Sequence, residues 1–545
     1  MRANYADIVD AVAEAQPREL AQIHGERRFT WEFFNRRTDS LARTLLAHGL
    51  ERQDKVAQYL YNGSEYMESL FGAAKASLVP VNTNYRYQDR ELLYLWDNAD
   101  VAAVSFHGCF AERIEGLRAQ LPKVRVWLWV DDGSGPCPQW AIRHEEAACG
   151  EAGLTLPWDR SPDDLFLIYT GGTTGMPKGV MWRQGDYFQV INRERTQGPY
   201  DLSRGRAGVV EQKRAEGPSL RVLPACPQMH ALGLMGSIAA LVNGGSLVTL
   251  EERRFDAVET LDTIDRERVD QIYIVGDVFA RPLLEALDAH PGRWRLDSLR
   301  VLRSSGVMWS EEVKRGLLRH RPALVLRDGL GSTEAVRVGR SESTGSEAAA
   351  TATFRLGPDA AVFDDELRPV EPGSGVAGRV AVSGAVPMGY YKDAKKTAAT
   401  FVVVEGRRYA IPGDYATVEA DGTIRLLGRG SVCINTGGEK VFPEEVEEVL
   451  KRHPAVRDAA CVGVPDARWG EAITALVELN GVGGAAPHAS ELAAWVKAEL
   501  AHYKAPKSVF FVEDLGRAAN GKLDYKILRE LAVAHVTGAA ARALG

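Results

Sequence analysis

A loop rich in glycine and threonine restricts the fold of this chain more than any other feature. It runs Tyr169-Thr-Gly-Gly-Thr-Thr-Gly-Met-Pro-Lys-Gly-Val180 and follows the apolar run at 163–169. In α/β proteins ligands bind beyond the carboxyl ends of strands. Three closely spaced glycines let the backbone approach an anion, while hydroxyl groups and a lysine supply donors and positive charge. The sequence therefore predicts a phosphate-binding loop formed by Thr170, Gly171, Gly172, Thr173, Thr174, Gly175 and Lys178.

This loop differs from the Walker A phosphate loop. A Walker A loop carries Gly-Lys-Ser/Thr at the start of a helix, whereas here Pro177 precedes Lys178 and Gly179 follows it. The alternative is a flexible turn without a ligand. A generic turn rarely combines three hydroxyl groups with a lysine, so we interpret the segment as a site for a di- or triphosphate.

Length and charge narrow the class of protein. A single hydrophobic core stops growing near ~250–300 residues, so 545 residues predict at least two structural units. A net charge of -7 argues against a general nucleic-acid binder, although a small polyanion needs only a local site. The longest apolar run, Gly233–Val242, falls short of the ~18 residues of a membrane span. Six cysteines without C-x-x-C spacing and an N-terminus without an apolar signal segment predict a cytoplasmic protein with reduced thiols.

The order of apolar patterns predicts an α/β fold. We expect helices over residues 29–75, including Trp31–His48 ended by Gly49, and a helix at 312–319 capped by Ser310. Short β-branched runs alternate with helical stretches from about residue 100 onward, which favours a layered domain with a largely parallel sheet. The predicted strands there are 101–106, 124–130, 165–169, 246–250, 271–275, 299–304 and 323–327.

The pattern changes in the last third of the chain. Short strands separated by glycine-rich turns are predicted at 378–383, 414–419 and 422–427, followed after Gly428-Arg429 by an α+β pattern. That pattern comprises helices at 443–452 and 491–500 and a strand pair at 459–463 and 472–479. The sequence therefore predicts a domain boundary near residue 429.

Several ordered motifs resemble the adenylate-forming superfamily, which contains acyl-CoA synthetases, firefly luciferase and the adenylation domains of non-ribosomal peptide synthetases. The phosphate loop resembles the family's signature, and further elements follow it in the family's order. They are Leu330-Gly331-Ser332-Thr333-Glu334, Gly413-Asp414, Gly428-Arg429, Ile434-Asn435-Thr436-Gly437-Gly438-Glu439-Lys440, Val464-Pro465-Asp466 and Asn520-Gly521-Lys522.

The resemblance implies a large N-terminal domain over 1–428, built from layered α/β sheets and a small β-rich subdomain. A hinge at 429–432 and a smaller mobile α+β domain at 433–545 would follow. It also implies ATP, Mg²⁺ and coenzyme A as ligands.

The resemblance assigns roles to individual residues. Lys178 and Lys522 would act on the phosphates, Thr333 would donate to the α-phosphate, Glu334 would hold Mg²⁺, and Asp414 would bind the ribose hydroxyls. The remaining residues expected to bind ATP or coenzyme A are Ser305, Gly306, Asp328, Gly329, Gly331, Arg429, Gly437 and Gly438.

The acyl site is expected at His230, Leu234, Val275, Val278 and Leu330. The segments around Trp182-Arg183 and Val307-Met308-Trp309 resemble actinobacterial fatty acyl- and steroid side-chain-CoA synthetases. The expected lining is largely apolar, with no evident charged partner for the ammonium group of an amino acid. The chain departs from the family's pattern at Leu330, where an aromatic residue is usual, at Ser431 in the hinge, and in the residues just before Asn520.

The implied reaction has two steps. A medium- or long-chain fatty acid or a steroid side-chain acid attacks the α-phosphate of ATP, and coenzyme A then takes the acyl group from acyl-AMP. A stand-alone acyl-AMP ligase that loads a carrier protein, a luciferase-like oxidase and a non-catalytic nucleotide-binding regulator are the alternatives. The resemblance allows a homodimer and gives no nucleic-acid partner.

Overall fold

The computed structural model describes residues 3–172, 175–195, 197–307, 309–345, 347–436, 439–466, 469–481, 486–500, 502–518 and 521–538. The chain divides into two compact units. The first comprises residues 1–172, 176–351 and 382–410, and the second comprises 173–175, 352–381 and 411–545. The predicted domain limits at 428 and 432 stay a prediction.

Helices occur along the whole described chain. In chain order they are α1 (Tyr5–Ala15), α2 (Trp31–Ala47), α3 (Ser64–Lys75), α4 (Asp89–Asn98), α5 (Ala111–Leu117), α6 (His144–Ala148), α7 (Gln184–Arg193), α8 (Gly205–Glu216), α9 (Ala231–Val242), α10 (Ala257–Glu267), α11 (Gly276–Ala289), α12 (Glu311–His320), α13 (Ala394–Thr400), α14 (Pro443–Lys451), α15 (Ala489–Glu499) and α16 (Tyr525–Val536). Within the described residues, no helix is both long and apolar enough to cross a bilayer.

Strands alternate with these helices through most of the first unit. The first group is β1 (Leu20–His24), β2 (Arg27–Thr30), β3 (Lys55–Tyr59), β4 (Val79–Asn82), β5 (Val101–His107), β6 (Val126–Val130), β7 (Ile142–Arg143), β8 (Leu165–Gly172), β9 (Gly175–Arg183), β10 (Arg221–Pro224), β11 (Ser246–Thr249), β12 (Gln271–Ile274), β13 (Val301–Ser305), β14 (Val325–Leu330) and β15 (Gly339–Ser343).

The remaining strands are short. They are β16 (Thr353–Leu356), β17 (Ala360–Phe363), β18 (Gly378–Ser383), β19 (Gly389–Tyr390), β20 (Phe401–Val404), β21 (Arg407–Ala410), β22 (Asp414–Val418), β23 (Thr423–Arg429), β24 (Ile434–Thr436), β25 (Glu439–Val441), β26 (Val456–Asp466), β27 (Gly470–Leu479) and β28 (Ser508–Phe511).

Two sheets form the first unit. One has the order β19-β9-β8-β4-β3-β5-β6-β7, in which β4 and β8, β3 and β4, β3 and β5, β5 and β6, and β6 and β7 pair in parallel. The other includes the consecutive strands β2-β1-β11-β10-β12-β13-β14-β15, with parallel pairs from β1 to β14 and antiparallel pairing of β2 with β1 and of β15 with β14. The predicted α/β fold with largely parallel sheets is confirmed.

Separate hydrophobic clusters stabilise the two sheets. One side of the second sheet packs Ile272, Leu302 and Leu326 against apolar side chains of α10, α11 and α12. Around the first sheet, buried aromatic residues such as Tyr59, Trp96 and Trp127 form another cluster. Burying this much apolar surface is the main favourable term in folding.

The second unit holds its own cores. Strands β24, β25, β26, β27 and β28 form one sheet, in which the long antiparallel pair β26–β27 is central and β28 joins β27 in parallel. Helices α14 and α15 cover one cluster, with Val446, Leu450 and Val496 buried, and α16 covers a second. The α+β pattern predicted after residue 429 is confirmed.

Local predictions can be checked at two helix ends and one strand. The Ser310 hydroxyl accepts a hydrogen bond from the Val313 N–H and caps α12, and Gly49 follows α2 with φ +78, as predicted. The expectation of helix throughout 29–75 was wrong, because β3 at Lys55–Tyr59 lies inside that range. Its residues are buried within the first sheet, so strand pairing on both sides outweighs any helical tendency of this short segment.

Candidate functional site

The phosphate loop lies where the sequence predicts, between two strands of the first sheet. Gly171 and Gly172 end β8, Gly175 begins β9, and half-buried Thr170 belongs to β8, just before its last two residues. Thr173 and Thr174 lie outside the described residues. Strand β8 pairs in parallel with β4, so the loop leaves the carboxyl edge of the sheet, the edge at which α/β proteins bind ligands.

Asn82 fixes the strand that carries this loop. It lies at the end of β4 and is 3% exposed. Its Oδ1 accepts from the Tyr169 N–H at 2.6 Å, and its Nδ2 donates to the Tyr169 carbonyl at 3.0 Å and to the Met229 carbonyl at 2.6 Å. One amide therefore joins the phosphate-loop strand to the residue before His230. Sequence reasoning missed Asn82 because its partners are far away along the chain.

Tyr390 brings two of the predicted catalytic residues close together. Its hydroxyl donates to Oε1 of Glu334 at 2.8 Å, and the Nζ of Lys178 lies 5.9 Å from the centre of its ring. Lys178 also pairs with Asp393, at 3.4 Å between Nζ and Oδ2. A cation and a carboxylate thus flank one buried tyrosine, on the side of the sheet where the phosphate loop ends.

Strand pairing places Tyr390 there. Strand β19 runs antiparallel to β9, with Tyr390 opposite Val180 and Gly389 opposite Met181. Gly389 has φ +151, and a Cβ there would lie 2.4 Å from Thr397 Cγ2. Only glycine therefore fits at this position of the strand. The sequence signal for this residue is weak, since a two-residue strand has no recognisable period.

The motif 330–334 forms a tight turn held by a buried tryptophan. The indole N–H of Trp182 donates to the Thr333 carbonyl at 3.0 Å, and Thr333 is 6% exposed. A Cβ at Gly331 would lie 3.0 Å from the Ala335 carbonyl oxygen, a tight contact, so this turn favours glycine. Leu330 ends β14, half-buried, opposite Gly339.

The residues predicted to bind adenine lie on neighbouring strand ends. Ser305 of β13 is opposite Gly329 of β14, and Gly306 follows with φ +94. Asp328 is buried beside Lys314, with 3.8 Å between Oδ2 and Nζ. Burial raises the pKa of Asp328 to about 7, although the Lys314 ammonium opposes this rise.

The predicted acyl residues surround the start of two helices. His230 is the N-terminal cap of α9, whose Leu234 is 2% exposed, and Val275 is the cap of α11. Val275 and Val278 both belong to the hydrophobic cluster of the second sheet. A Cβ at Gly306 would be 3.9 Å from a Val275 methyl group, so the expected adenine and acyl residues are neighbours.

In the second unit, Asp414 and Arg429 are partners. They lie opposite each other in β22 and β23, and their side chains form an ion pair at 3.3 Å between Oδ1 and Nε. The Gly430 N–H donates to the Gly413 carbonyl at 3.0 Å, which joins the expected hinge to the Gly-Asp turn. Gly437 and Gly438 lie outside the described residues.

Lys522 stands on a turn that is fixed on both sides. Gly521 before it has φ +72, and Leu523 after it is buried. The Lys522 carbonyl accepts from the Ala518 N–H at 2.9 Å. Arg517 donates to the Gly521 carbonyl at 2.7 Å and grips Asp458 through two nitrogens. The exposed lysine side chain is therefore presented by a well-anchored backbone.

Known proteins resemble the chain over nearly its full length. A family model described as AMP-binding enzyme matches residues 9–391, and the model of the AMP-binding enzyme C-terminal domain matches 445–522. The chain is 38% identical over 537 residues to a medium/long-chain-fatty-acid–CoA/3-oxocholest-4-en-26-oate–CoA ligase of Mycobacterium tuberculosis, covering 97% of this chain and 96% of that protein. It is 37% identical to a 3-oxocholest-4-en-26-oate–CoA ligase of Rhodococcus rhodochrous, covering 96% and 95%.

Solved structures share the fold. The anthranilate CoA ligase AuaEII in complex with anthranoyl-AMP superposes with a TM-score of 0.83 at 21% identity, covering 98% of both chains. ATP-bound MatB from Rhodopseudomonas palustris gives a TM-score of 0.80 at 24% identity, covering 98% of this chain and 99% of that one. The ordered motifs, the strand-end site and these relatives agree: the chain belongs to the AMP-binding enzyme family, in the adenylate-forming superfamily, on the acyl-CoA synthetase branch.

Proposed function

We propose that this chain is an ATP-dependent acid–thiol ligase that converts a carboxylic acid through acyl-AMP into an acyl-CoA thioester, releasing AMP and pyrophosphate. The proposed acid is a medium- or long-chain fatty acid or a steroid side-chain acid, as in the names of the Mycobacterium tuberculosis and Rhodococcus rhodochrous relatives. The observation that carries the proposal is the grouping of Lys178 and Glu334 around Tyr390 beside a strand-end phosphate loop.

Repulsion between a carboxylate and the ATP phosphates is the physical obstacle to the first step. Positive charge and fixed donors placed where negative charge accumulates lower that barrier. Lys178 supplies such a charge next to the loop, and its pairing with Asp393 keeps its Nζ on this side of Tyr390. Thr333, held through its carbonyl by Trp182, supplies a hydroxyl group whose backbone cannot shift easily.

The Glu334 carboxylate is suited to coordinate Mg²⁺. Protein Mg²⁺ sites commonly use one or two carboxylates and complete the shell with waters and substrate phosphates. Glu334 offers one carboxylate, half-buried, whose Oε1 is oriented by the Tyr390 hydroxyl. The metal would neutralise phosphate charge there. Tyr390 keeps the carboxylate aimed and is therefore a positioning residue in this proposal.

The second unit would contribute the remaining ATP contacts. Asp414 would bind the ribose hydroxyls, with Arg429 orienting its carboxylate across the strand pair. Lys522 would reach the α-phosphate and the substrate carboxylate in the first step. Residues 433–545 would then rotate about 429–432, withdrawing Lys522 and presenting the Gly437-Gly438 segment to coenzyme A, a domain closure of known type.

Two further attributes belong to the proposal. We infer that the enzyme acts in the cytoplasm, supported by the described cysteines, all of which are free thiols. A homodimer is the assembly that the resemblance suggests, and size-exclusion chromatography with light scattering would decide it.

Substitution of Lys522 tests the proposal directly. In Lys522→Ala the rate of acyl-AMP formation, measured by pyrophosphate exchange, should fall about 10²- to 10³-fold, the usual loss for one transition-state contact. Thioester formation from supplied acyl-AMP and coenzyme A should persist. Lys526→Ala, an exposed lysine at the start of α16, is the matched control and should leave both half-reactions intact.

Equal loss of both half-reactions in Lys522→Ala would contradict the assigned role. Pyrophosphate release from a panel of acids, with and without coenzyme A, tests the acceptor. Acyl-AMP that accumulates despite coenzyme A would favour the carrier-loading alternative, and absence of pyrophosphate with every acid would favour the nucleotide-binding regulator.

A further inference from the structure

Three strands of the second sheet have a polar face opposite their core face. Successive side chains of a strand point to opposite faces. The core face carries Ile272, Leu302 and Leu326, which pack under α10, α11 and α12. By this alternation the other face carries Tyr273, Arg303 and Arg327, which are all half-buried, and Tyr273 also packs against the hydrophobic cluster.

These polar side chains form one row across the sheet. In the strand register Tyr273 is opposite Arg303, Arg303 is opposite Arg327, and Arg327 is opposite Glu342. The row therefore extends over four neighbouring strands on one side. Guanidinium groups on a half-buried face are expected to have hydrogen-bond or ionic partners, because they are costly to desolvate without them.

The row lies on the side of the sheet that holds Ser305, Gly329 and α9, whereas the expected acyl residues Val275 and Val278 belong to the cluster of the core face. The Tyr273 ring lies against α9, because a Cβ at Gly236 would be 3.1 Å from it. Helix α9 is the helix that carries Leu234. Ser305 and Gly329 lie two residues beyond Arg303 and Arg327, which is about 6.6 Å along the strands on the same face.

A third arginine, Arg337, lies in the turn between Glu334 and β15. It has φ +61, and its Nη2 forms an ion pair with Oε2 of Glu194, just after α7, at 3.0 Å. Burial lowers the pKa of Arg337, and the nearby positive charge of Arg303 lowers it further, while Glu194 opposes both. A Cβ at Gly331 would lie 3.3 Å from the Arg337 backbone nitrogen, so Arg337 is next to the residue that follows β14, the strand that carries Arg327.

Charge pairing in this cluster is incomplete. Arg327 pairs with Glu342 at 2.9 Å and Arg337 pairs with Glu194. Arg303 donates from Nε to the neutral amide oxygen of Gln271 at 3.1 Å. Three arginines against two glutamates leave one net positive charge, and Arg303 has no ion pair within the part of the chain that the structure describes. A hydrocarbon chain beside Arg303 would therefore face a charged donor group.

We propose that Arg303 and Arg337 bind an oxygen acceptor that the acid substrate carries remote from its activated carboxyl group. The acceptor is a ketone oxygen or a second carboxylate. This inference rests on the proposed function and narrows its substrate class from plain fatty acids to oxygenated ones. A site that hydrogen-bonds a substrate oxygen rejects an analogue without it, because its own donors are then left unpaired.

Acids of equal length provide the test. The rate of pyrophosphate exchange, as kcat/KM, is measured for decanoic acid, for oxodecanoic acids with the ketone at carbons 6 to 9, and for decanedioic acid. The kcat/KM of the unsubstituted enzyme should be about 10- to 100-fold higher for at least one oxygenated acid than for decanoic acid, which is the value of one charge-assisted hydrogen bond. The oxo and dicarboxylic series distinguish the two kinds of acceptor.

Arginine variants assign the preference to residues. Arg303→Met and Arg337→Met should each reduce the ratio between the preferred acid and decanoic acid about tenfold or more, mainly through KM. Arg337→Lys keeps the charge and should retain part of the ratio. Arg319→Met, on the exposed side of α12, is the control and should keep the full ratio. Circular dichroism and the melting temperature verify that each variant is folded.

The outcomes separate this inference from the proposed function. Equal kcat/KM for decanoic and all oxygenated acids, or an unchanged ratio in both folded methionine variants, would overturn the inference while leaving an acid-activating enzyme. Absence of exchange with every acid would instead overturn the proposed function on which the inference rests.

Discussion

The amide of Asn82 provides the sharpest test of how the phosphate loop is held. Asn82→Leu keeps a similar side-chain volume but removes the acceptor for the Tyr169 N–H and the donors for the Tyr169 and Met229 carbonyls. All three backbone groups lie in a buried environment beside a residue that is 3% exposed. The substitution therefore leaves three buried polar groups without their hydrogen-bond partner.

The magnitude follows from those three contacts. A buried polar group left without a partner costs about 1–3 kcal/mol. Relaxation of the strand end would restore some of the bonds, so we take the low value for each group and expect a loss of about 3 kcal/mol in the free energy of unfolding. Since a domain is stable by only about 5–15 kcal/mol, this loss is large but compatible with a folded protein.

Function should decline together with stability. Tyr169 immediately precedes the loop, and Met229 immediately precedes His230, so a shifted strand end misplaces both. A misplacement of about 1 Å can lower a rate about 10²-fold. We therefore expect pyrophosphate exchange to fall at least tenfold, with a raised KM for ATP.

Urea unfolding followed by circular dichroism measures the first quantity, and pyrophosphate exchange measures the second. Asn84→Leu is the matched control, because the Oδ1 of the Asn84 side chain accepts an exposed hydrogen bond from the Arg86 N–H. The free energy of unfolding of Asn84→Leu should fall by less than about 1 kcal/mol. If Asn82→Leu were no less stable than Asn84→Leu and equally active, the reasoning that this amide positions the loop would be refuted.

Two further predictions concern buried groups of the first unit. Tyr390→Phe removes the hydroxyl that orients Glu334, so the Mg²⁺ concentration for half-maximal pyrophosphate exchange should rise several-fold while the melting temperature changes little; an unchanged Mg²⁺ requirement would contradict the positioning role. Burial raises the pKa of Asp328 to about 7, so its protonated form is favoured in the fold, and its contribution to stability is lost as pH rises through 7. Asp328→Asn should therefore lessen the decline in unfolding free energy between pH 5 and pH 8, and an identical decline in both proteins would contradict the buried environment.

The sequence predicted which candidate residues lie at strand ends better than it predicted the contacts that hold them. Loops after apolar runs are read directly from the order of residues, so the positions of the phosphate loop and of Ser305 and Gly329 at strand ends could be expected. Tyr390 could not, because its place depends on a two-residue strand pairing with β9. The same holds for the grip of Arg517 on Asp458 beneath Lys522, which joins residues distant in the chain.

The strand at Lys55–Tyr59 illustrates a different failure. Its pattern is short and lies between two long helices, so helical periodicity on both sides extended the prediction through it. In the structure it pairs with β4 and β5 in the centre of a parallel sheet. Pairing on both sides is a tertiary effect, and no window of five residues carries its signal.

The polar row on the second sheet follows from an alternation of apolar and polar residues along three strands. The segments of β12, β13 and β14 each place an apolar residue next to a polar one: Ile272 before Tyr273, Leu302 before Arg303 and Leu326 before Arg327. The sequence shows this alternation, but it does not say which ligand faces the polar side. Because a slip of one residue would exchange the two faces, the register that buries the leucines also fixes the arginines opposite them. The packing that stabilises this sheet therefore sets the positions of the groups that we propose select the substrate.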